Sequence, residues 1–247
     1  MAAVIIFLFG IFVAPIAQVS AQATGFAPSL TPHKAVILSS LDSVYPMGYY
    51  YTVMTYELAR AGYQVTLVKN THVTFDFLTT QLNNYDLVIW RTDEYTYHHV
   101  TYWYVGETVN STTMAKYASD FAIGWANMNA GVMGISLEFF NEHFLPGSLS
   151  RVRVMDLLAS DSILYANYFL TAGAKAVIAV NGAVSLAFGY ADDSTAGLLA
   201  GLASGLTVYQ SVYNTVSPYA NTEPRDPLDN NYQPPLWYLG NGGETIT

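Results

Sequence analysis

Three short apolar runs at even pitch organise the first third of the chain. Lys34-Ala-Val-Ile-Leu-Ser-Ser40, Gln64-Val-Thr-Leu-Val68 and Asp86-Leu-Val-Ile-Trp90 each read as a strand. Between the first two, Tyr50, Val53, Met54, Leu58 and Ala61 recur at helical spacing, and Gly62 supplies a helix stop. Residues 74–82 predict a short helix that leaves through Asn83 and Asn84. Strands and helices alternating at this pitch predict right-handed crossovers and a parallel sheet. Gly131-Val-Met-Gly-Ile-Ser136 reads as the fourth strand and Ala176-Val-Ile-Ala-Val180 as the fifth. Helices are expected over residues 114–128 and 160–171. Residues 195–205 and 208–216 form one broken helix or two, weakened in the middle by Gly201 and Gly205. Residues 94–113 alternate in places and read as a hairpin or a surface loop. Residues 139–153 are ambiguous around the Pro146-Gly147 turn, and residues 218–235 form a Pro/Asn/Asp-rich excursion before Leu236-Trp-Tyr-Leu239. The expected fold is α/β: a mostly parallel central sheet flanked by helices, a three-layer sandwich.

The amino terminus changes the picture of where this domain works. Val4-Ile-Ile-Phe-Leu-Phe-Gly-Ile-Phe-Val13 is apolar but short for a membrane span, and Val19-Ser-Ala21 and Ala21-Gln-Ala23 are small-residue cleavage patterns. Residues 1–23 therefore read as a secretory signal, although no Lys or Arg precedes the apolar run; the other reading is an uncleaved anchor. Residues 24–33 read as a linker and 34–247 as one α/β domain, whose polar tail stops abruptly enough to suggest a longer protein. The expected location is extracellular or at the cell surface, with no membrane association once the signal is removed. Asn110-Ser-Thr112 is an acceptor triplet for N-glycosylation.

Composition narrows the partners. Charged residues are 11% of the 247, Tyr numbers 20 and the net charge is −9. An ordered domain is implied, and nucleic-acid binding is disfavoured, because phosphate neutralisation needs clustered Lys and Arg. The nine basic residues are scattered singly apart from Arg151 and Arg153. Cysteine is absent, which excludes disulfides, a thiol nucleophile and Cys-based metal sites.

The second half resembles the caspase-like fold, in particular the gingipain-type peptidases and CHAT domains. The resemblance rests on Phe169-Leu-Thr-Ala-Gly-Ala174, the strand that follows it, and Ala191-Asp-Asp-Ser-Thr-Ala196, which resembles an acid-bearing loop opening a helix. Ser204-Gly-Leu-Thr-Val-Tyr-Gln-Ser-Val-Tyr213 and the aromatic Leu236-Trp-Tyr-Leu-Gly-Asn241 extend it. These motifs are structural, and the strongest part covers about 45 residues. Flavodoxin-like folds share the same βαβ pitch. In active relatives a His-Gly follows the third strand and a Cys the fourth. Here the third strand runs into Arg91-Thr-Asp-Glu94 and the fourth, as read, into Ser136-Leu-Glu-Phe-Phe140, so the dyad is missing. The resemblance thus implies a scaffold without cysteine-peptidase activity.

Ligands of open parallel sheets sit beyond the carboxyl ends of the strands. Those ends are expected to offer Asp42, Arg91, Asp93, Glu94, Ser136, Glu138 and Asn181, alongside Ser39 and Ser40. Such a cleft could take a cation, a sugar or a basic peptide; alternatively Arg91 pairs with Asp93 or Glu138 and the group is structural. Asp93, His98 and His99 are weak metal candidates, since adjacent strand residues face opposite ways. Ser136 with His143 is a conceivable nucleophile and base, outside any recognisable motif. Asp192 and Asp193 read more economically as a helix N-terminus than as a calcium site. Tyr-rich stretches at 45–56 and 95–104 offer an interface. No catalytic residue and no cofactor is assigned. The expected function is a secreted, catalytically inactive binding or assembly module, meeting an extracellular protein or its own copies through Tyr-rich surfaces. The alternative is an exported peptidase-like hydrolase using a Ser, Asp or metal site at the strand ends.

Overall fold

A computed structural model describes residues 32–97, 99–118, 132–182, 190–219 and 236–247. The leader, most of the linker, and residues 220–235 of the polar excursion lie outside the described residues.

Six strands form the central sheet: β1 (His33–Ser39), β2 (Tyr63–Lys69), β3 (Leu87–Arg91), β7 (Val154–Leu158), β8 (Ala176–Val180) and β9 (Leu236–Gly240). Their order is β2-β1-β3-β7-β8-β9. The first five run parallel and β9 returns antiparallel to β8. A second, antiparallel sheet is built from β4 (Glu94–Tyr97), β5 (Val100–Thr108) and β6 (Val132–Ile135) in the order β4-β5-β6. The described helices are α1 (Gly48–Arg60), α2 (Phe75–Thr80), α3 (Ser111–Lys116), α4 (Leu137–His143), α5 (Ile163–Thr171), α6 (Tyr190–Ala203) and α7 (Val208–Tyr219).

Side-chain alternation sorts the sheet into two apolar faces. Ala35, Ile37, Leu87, Ile89, Val154, Ile178 and Val180 face Met54 and Leu58 of α1, Leu198, Leu199 and Leu202 of α6, and Val208 and Val212 of α7. Val36, Leu38, Val88, Trp90, Met155, Leu157 and Val177 face the other way. There they meet α2, α4 and α5 together with Trp103, Val105, Met133 and Ile135 of the small sheet. An α/β fold with a mostly parallel sheet between two covering layers is thus what the periodicity predicts. Parallel strands buried on both faces read as continuous apolar runs, which is why β1, β3 and β8 were legible.

The structure corrects the sequence reading at several points. Gly131-Val-Met-Gly-Ile-Ser136 is not the fourth parallel strand: Val132–Ile135 pairs with β5 in the small sheet. The fourth parallel strand is β7, Val154-Met-Asp-Leu-Leu158, which the sequence reading left unassigned. Residues 94–113 contain a hairpin, with Glu94 opposite Trp103 and Tyr95 opposite Tyr102. The helix expected over 114–128 begins earlier, at Ser111, and leaves helical geometry at Tyr117; residues 119–131 lie outside the described set. Of the two readings left open after β8, the described residues hold two helices, and α6 begins at Tyr190, earlier than expected. Gly201 lies where α7 packs against α6, since a Cβ there would stand 2.9 Å from Ser211 Oγ.

Candidate functional site

The carboxyl ends of β1, β3, β7 and β8 converge, as the topology requires. Short backbone links fix them: Ser40 N–H donates to the Arg91 carbonyl at 3.2 Å, and Thr92 N–H to the Leu158 carbonyl at 3.0 Å. Beyond Leu158 the chain turns through Ala159, Ser160 and Asp161. Asp161 has φ +47, a left-handed conformation that Asp tolerates better than most side chains. It is locked to the end of β8: its N–H donates to the Gly182 carbonyl at 2.9 Å, and its Oδ1 accepts the Gly182 N–H at 2.9 Å. Ser162 completes the joint. Its hydroxyl donates to the Leu157 carbonyl and accepts the Val180 N–H, both at 2.8 Å, bridging β7 and β8 where their ladder ends.

Arg91 does not belong to an open cleft. Its side chain is fully buried on the α1/α6 face and grips Asp192 of α6 through Nε to Oδ1 at 2.7 Å and Nη2 to Oδ2 at 3.2 Å. Nη1 donates to the Tyr45 carbonyl at 3.1 Å and lies 3.5 Å from Ser39 Oγ, which accepts Tyr51 OH at 2.7 Å. Burial pushes the Asp192 carboxyl up, and Arg91 pulls it back. The structural reading of Arg91 is right in kind, but its partner is Asp192 rather than Asp93 or Glu138. The same contact corrects the cap assignment: Asp192 sits in the first turn of α6, yet its carboxylate reaches across to Arg91. Neighbouring Asp193 accepts the Tyr50 hydroxyl.

Several carboxylates follow these strand ends within electrostatic reach of one another. Asp93 is partly buried and pushed up by burial, while its Oδ1 accepts the Glu94 N–H at 2.9 Å. Glu94 opens β4, and burial followed by the charges of Asp161 and Asp93 carries its carboxyl up to about 7. All three causes act in one direction. Across the hairpin Glu94 stands opposite Trp103, whose ring centroid is 4.1 Å from that of Tyr165 on α5. Tyr165 is 1% exposed; burial, then the charges of Glu94, Glu138 and other neighbours including Asp161, raises its hydroxyl. Glu94, Glu138 and Asp161 therefore gather within electrostatic reach of one buried phenol. Neither Tyr165 OH nor Trp103 Nε1 finds a hydrogen-bond partner among the described residues.

The remaining expected residues distribute unevenly. Glu138 is exposed on α4 and accepts the buried Ser136 hydroxyl at 2.6 Å. Ser136 follows a strand of the small sheet, and the His143 ring packs 4.4 Å from Phe139. Asp42 lies 3.2 Å from Lys69 Nζ. Burial works upward on its carboxyl, but the neighbouring Tyr51 and Lys69 side chains outweigh it and hold it below its usual value. Asn181 stands partly buried at the end of β8 beside the Asp161–Gly182 link. His99 is exposed in the hairpin turn with φ +67, and His98 lies outside the described residues. Among the described residues no cluster of three His, Cys, Asp or Glu side chains could hold a metal ion.

The Tyr-rich stretches split. Tyr51 is core, whereas Tyr49 and Tyr56 are 75% and 64% exposed. Tyr95 stacks on Tyr102 at 5.2 Å and lies 4.9 Å from Tyr104. A separate surface depression of about 490 Å³, lined by Thr207, Tyr209, Tyr238, Gly242 and Gly243, lies by the antiparallel edge strand, toward the amino end of β8.

Sequence reasoning missed Asp161, which completes the acidic group, because it missed β7. The signal was present: Val154-Met-Asp-Leu-Leu158 followed by Ala-Ser-Asp-Ser repeats the apolar-run-then-small-polar pattern of residues 34–40. A single Asp at its centre hid it. The residues following the third and fourth parallel strands are thus Thr92-Asp93 and Ala159-Ser160-Asp161.

No family model matches the chain, and no curated protein matches it. Among solved structures, a protein from Bacteroides thetaiotaomicron provisionally assigned as a phosphomethylpyrimidine kinase is similar at 12% identity, over 79% of this chain and 90% of that one, with a TM-score of 0.32.

Proposed function

We propose that this chain is an exported, non-catalytic binding domain on a caspase-like scaffold, which receives a Lys or Arg side chain of an extracellular protein at the acidic group of Asp93, Glu94 and Asp161. The observation that carries this reading is the electrostatics of Glu94. Burial and two neighbouring carboxylates all oppose its ionisation, and the charge of a bound cation would offset them. Among the described residues, the Arg at these strand ends is hydrogen-bonded to Asp192, and its charge lowers Asp93 only in part against burial. The antiparallel aromatic strand that closes the sheet supports the caspase-like resemblance. Ala159 and Ser160 stand after the fourth parallel strand, where active relatives would carry Cys. Acyl transfer needs a nucleophile in contact with a base, and no His is recorded against the acidic group among the described residues.

The test is calorimetric titration of residues 24–247 with short basic peptides and acidic controls, with product analysis of the same mixtures by mass spectrometry. Basic peptides bind, more tightly at pH 8 than at pH 6 because Glu94 must ionise, and weaken as salt rises. Glu94→Gln and Asp161→Asn each reduce affinity about tenfold, the scale of a charge-assisted contact. Equal binding of basic and acidic peptides would sink the reading. Cleaved peptide would favour the hydrolase alternative.

A further inference from the structure

Asn110-Ser-Thr112 joins the end of β5 to the start of α3, and all three residues are exposed. The two ends of the Asn110 amide have different work. Oδ1 is turned to the chain, accepting the backbone N–H of Thr112 at 2.9 Å and of Thr113 at 3.1 Å. The Thr113 hydroxyl accepts the Asn110 backbone N–H at 3.0 Å, which completes a reciprocal cap. Among the described residues, Nδ2 has a single long contact, 3.5 Å to the Thr108 carbonyl. A glycosylated amide keeps its carbonyl oxygen and one N–H. The cap and the Thr108 contact therefore survive substitution at nitrogen. None of the residues of α3 is buried, so a bulky group on this corner displaces no core packing.

We propose that Asn110 is an N-glycosylation site used during export, an inference that rests on the export reading above. The donor class is a lipid-phosphate-linked oligosaccharide. The bond from the sugar's anomeric carbon to the phosphate oxygen breaks and a bond from that carbon to Asn110 Nδ2 forms. Nδ2 gives one proton to the base of the transferring enzyme, and the lipid phosphate leaves with the electron pair. Nothing is oxidised or reduced.

Two forms of the protein decide this in a glycosylating secretory host: the full chain, and the chain with residues 1–23 replaced by a signal of proven function. The secreted protein shows a single mobility step that peptide N-glycosidase removes. Asn110→Asp and Thr112→Ala abolish the step, and Ser111→Ala keeps it. Asn110→Asp retains a capping oxygen, so an unchanged thermal midpoint separates loss of the acceptor from loss of the fold. Secreted wild-type protein without the step overturns the proposal. If only the replaced-leader form is secreted, and it carries the step, the glycan site stands and the export reading falls.

Discussion

Asp156 occupies the middle of the parallel sheet with no charge partner among the described residues. It is fully buried on the α6 side, where Oδ2 accepts the Thr195 hydroxyl at 3.0 Å and Oδ1 accepts nothing among the described residues. Burial carries its carboxyl up to about 7, from 3.8, despite the hydrogen bond from Thr195. The folded protein therefore holds a proton that the unfolded chain gives up between those values. Stability falls as pH rises from about 4 to 7 and stays lower above, by roughly 4 kcal/mol for this one group. Asp156→Asn removes this contribution: urea unfolding at pH 8 shows a gain over the native protein that shrinks towards zero near pH 4. Arg91 and Asp192 behave differently, because both are buried and satisfy each other. Arg91→Met strands a buried carboxylate and costs about 3–5 kcal/mol in the same assay, most of which Asp192→Leu in the double variant restores. Neither role could be read from the sequence. Asp156 interrupts an otherwise apolar strand, and the Arg91 partner is 101 positions away.

Elements whose pattern is set by burial alone were legible; those set by a partner were not. β1, β3 and β8 each carry a continuous apolar run because both faces are covered there, and Gly62 ends α1 at φ +86, a conformation glycine adopts freely. β6 has the same apolar look as these strands yet belongs to the other sheet, since a short run does not disclose which edge it joins. Gly106 shows the opposite limit. It lies where the register of β5 shifts between Tyr104 and Thr108, and its N–H donates to the Val73 carbonyl at 2.9 Å. A Cβ at Gly106 would stand 1.4 Å from the Asn70 carbonyl oxygen, so the backbones themselves would have to part. Gly106→Ala consequently lowers the thermal midpoint by more than 5 °C, about what 2 kcal/mol does in a domain of this size, as differential scanning fluorimetry would register. In the sequence this glycine is one of 18 and carries no distinguishing neighbour.

At the scale of the whole molecule, the net charge of −9 and the sheet topology act together. Parallel strands bring their carboxyl ends to one rim, so acids following β3 and β7 meet there although almost 70 residues separate them. The acidic balance and the rim were both visible in the sequence, and so were Asp93 and Glu94. Which acids would meet was not, because that depends on strand order.

The reversal of β9 also sets an order in time. Four crossovers build the first five strands from neighbours already made, but the edge beside β8 waits for residues 236–240. Until these emerge from the ribosome, Ala176–Val180 has an unpaired flank and Tyr238 is missing from the apolar layer against α7. The domain cannot finish folding from its amino end alone.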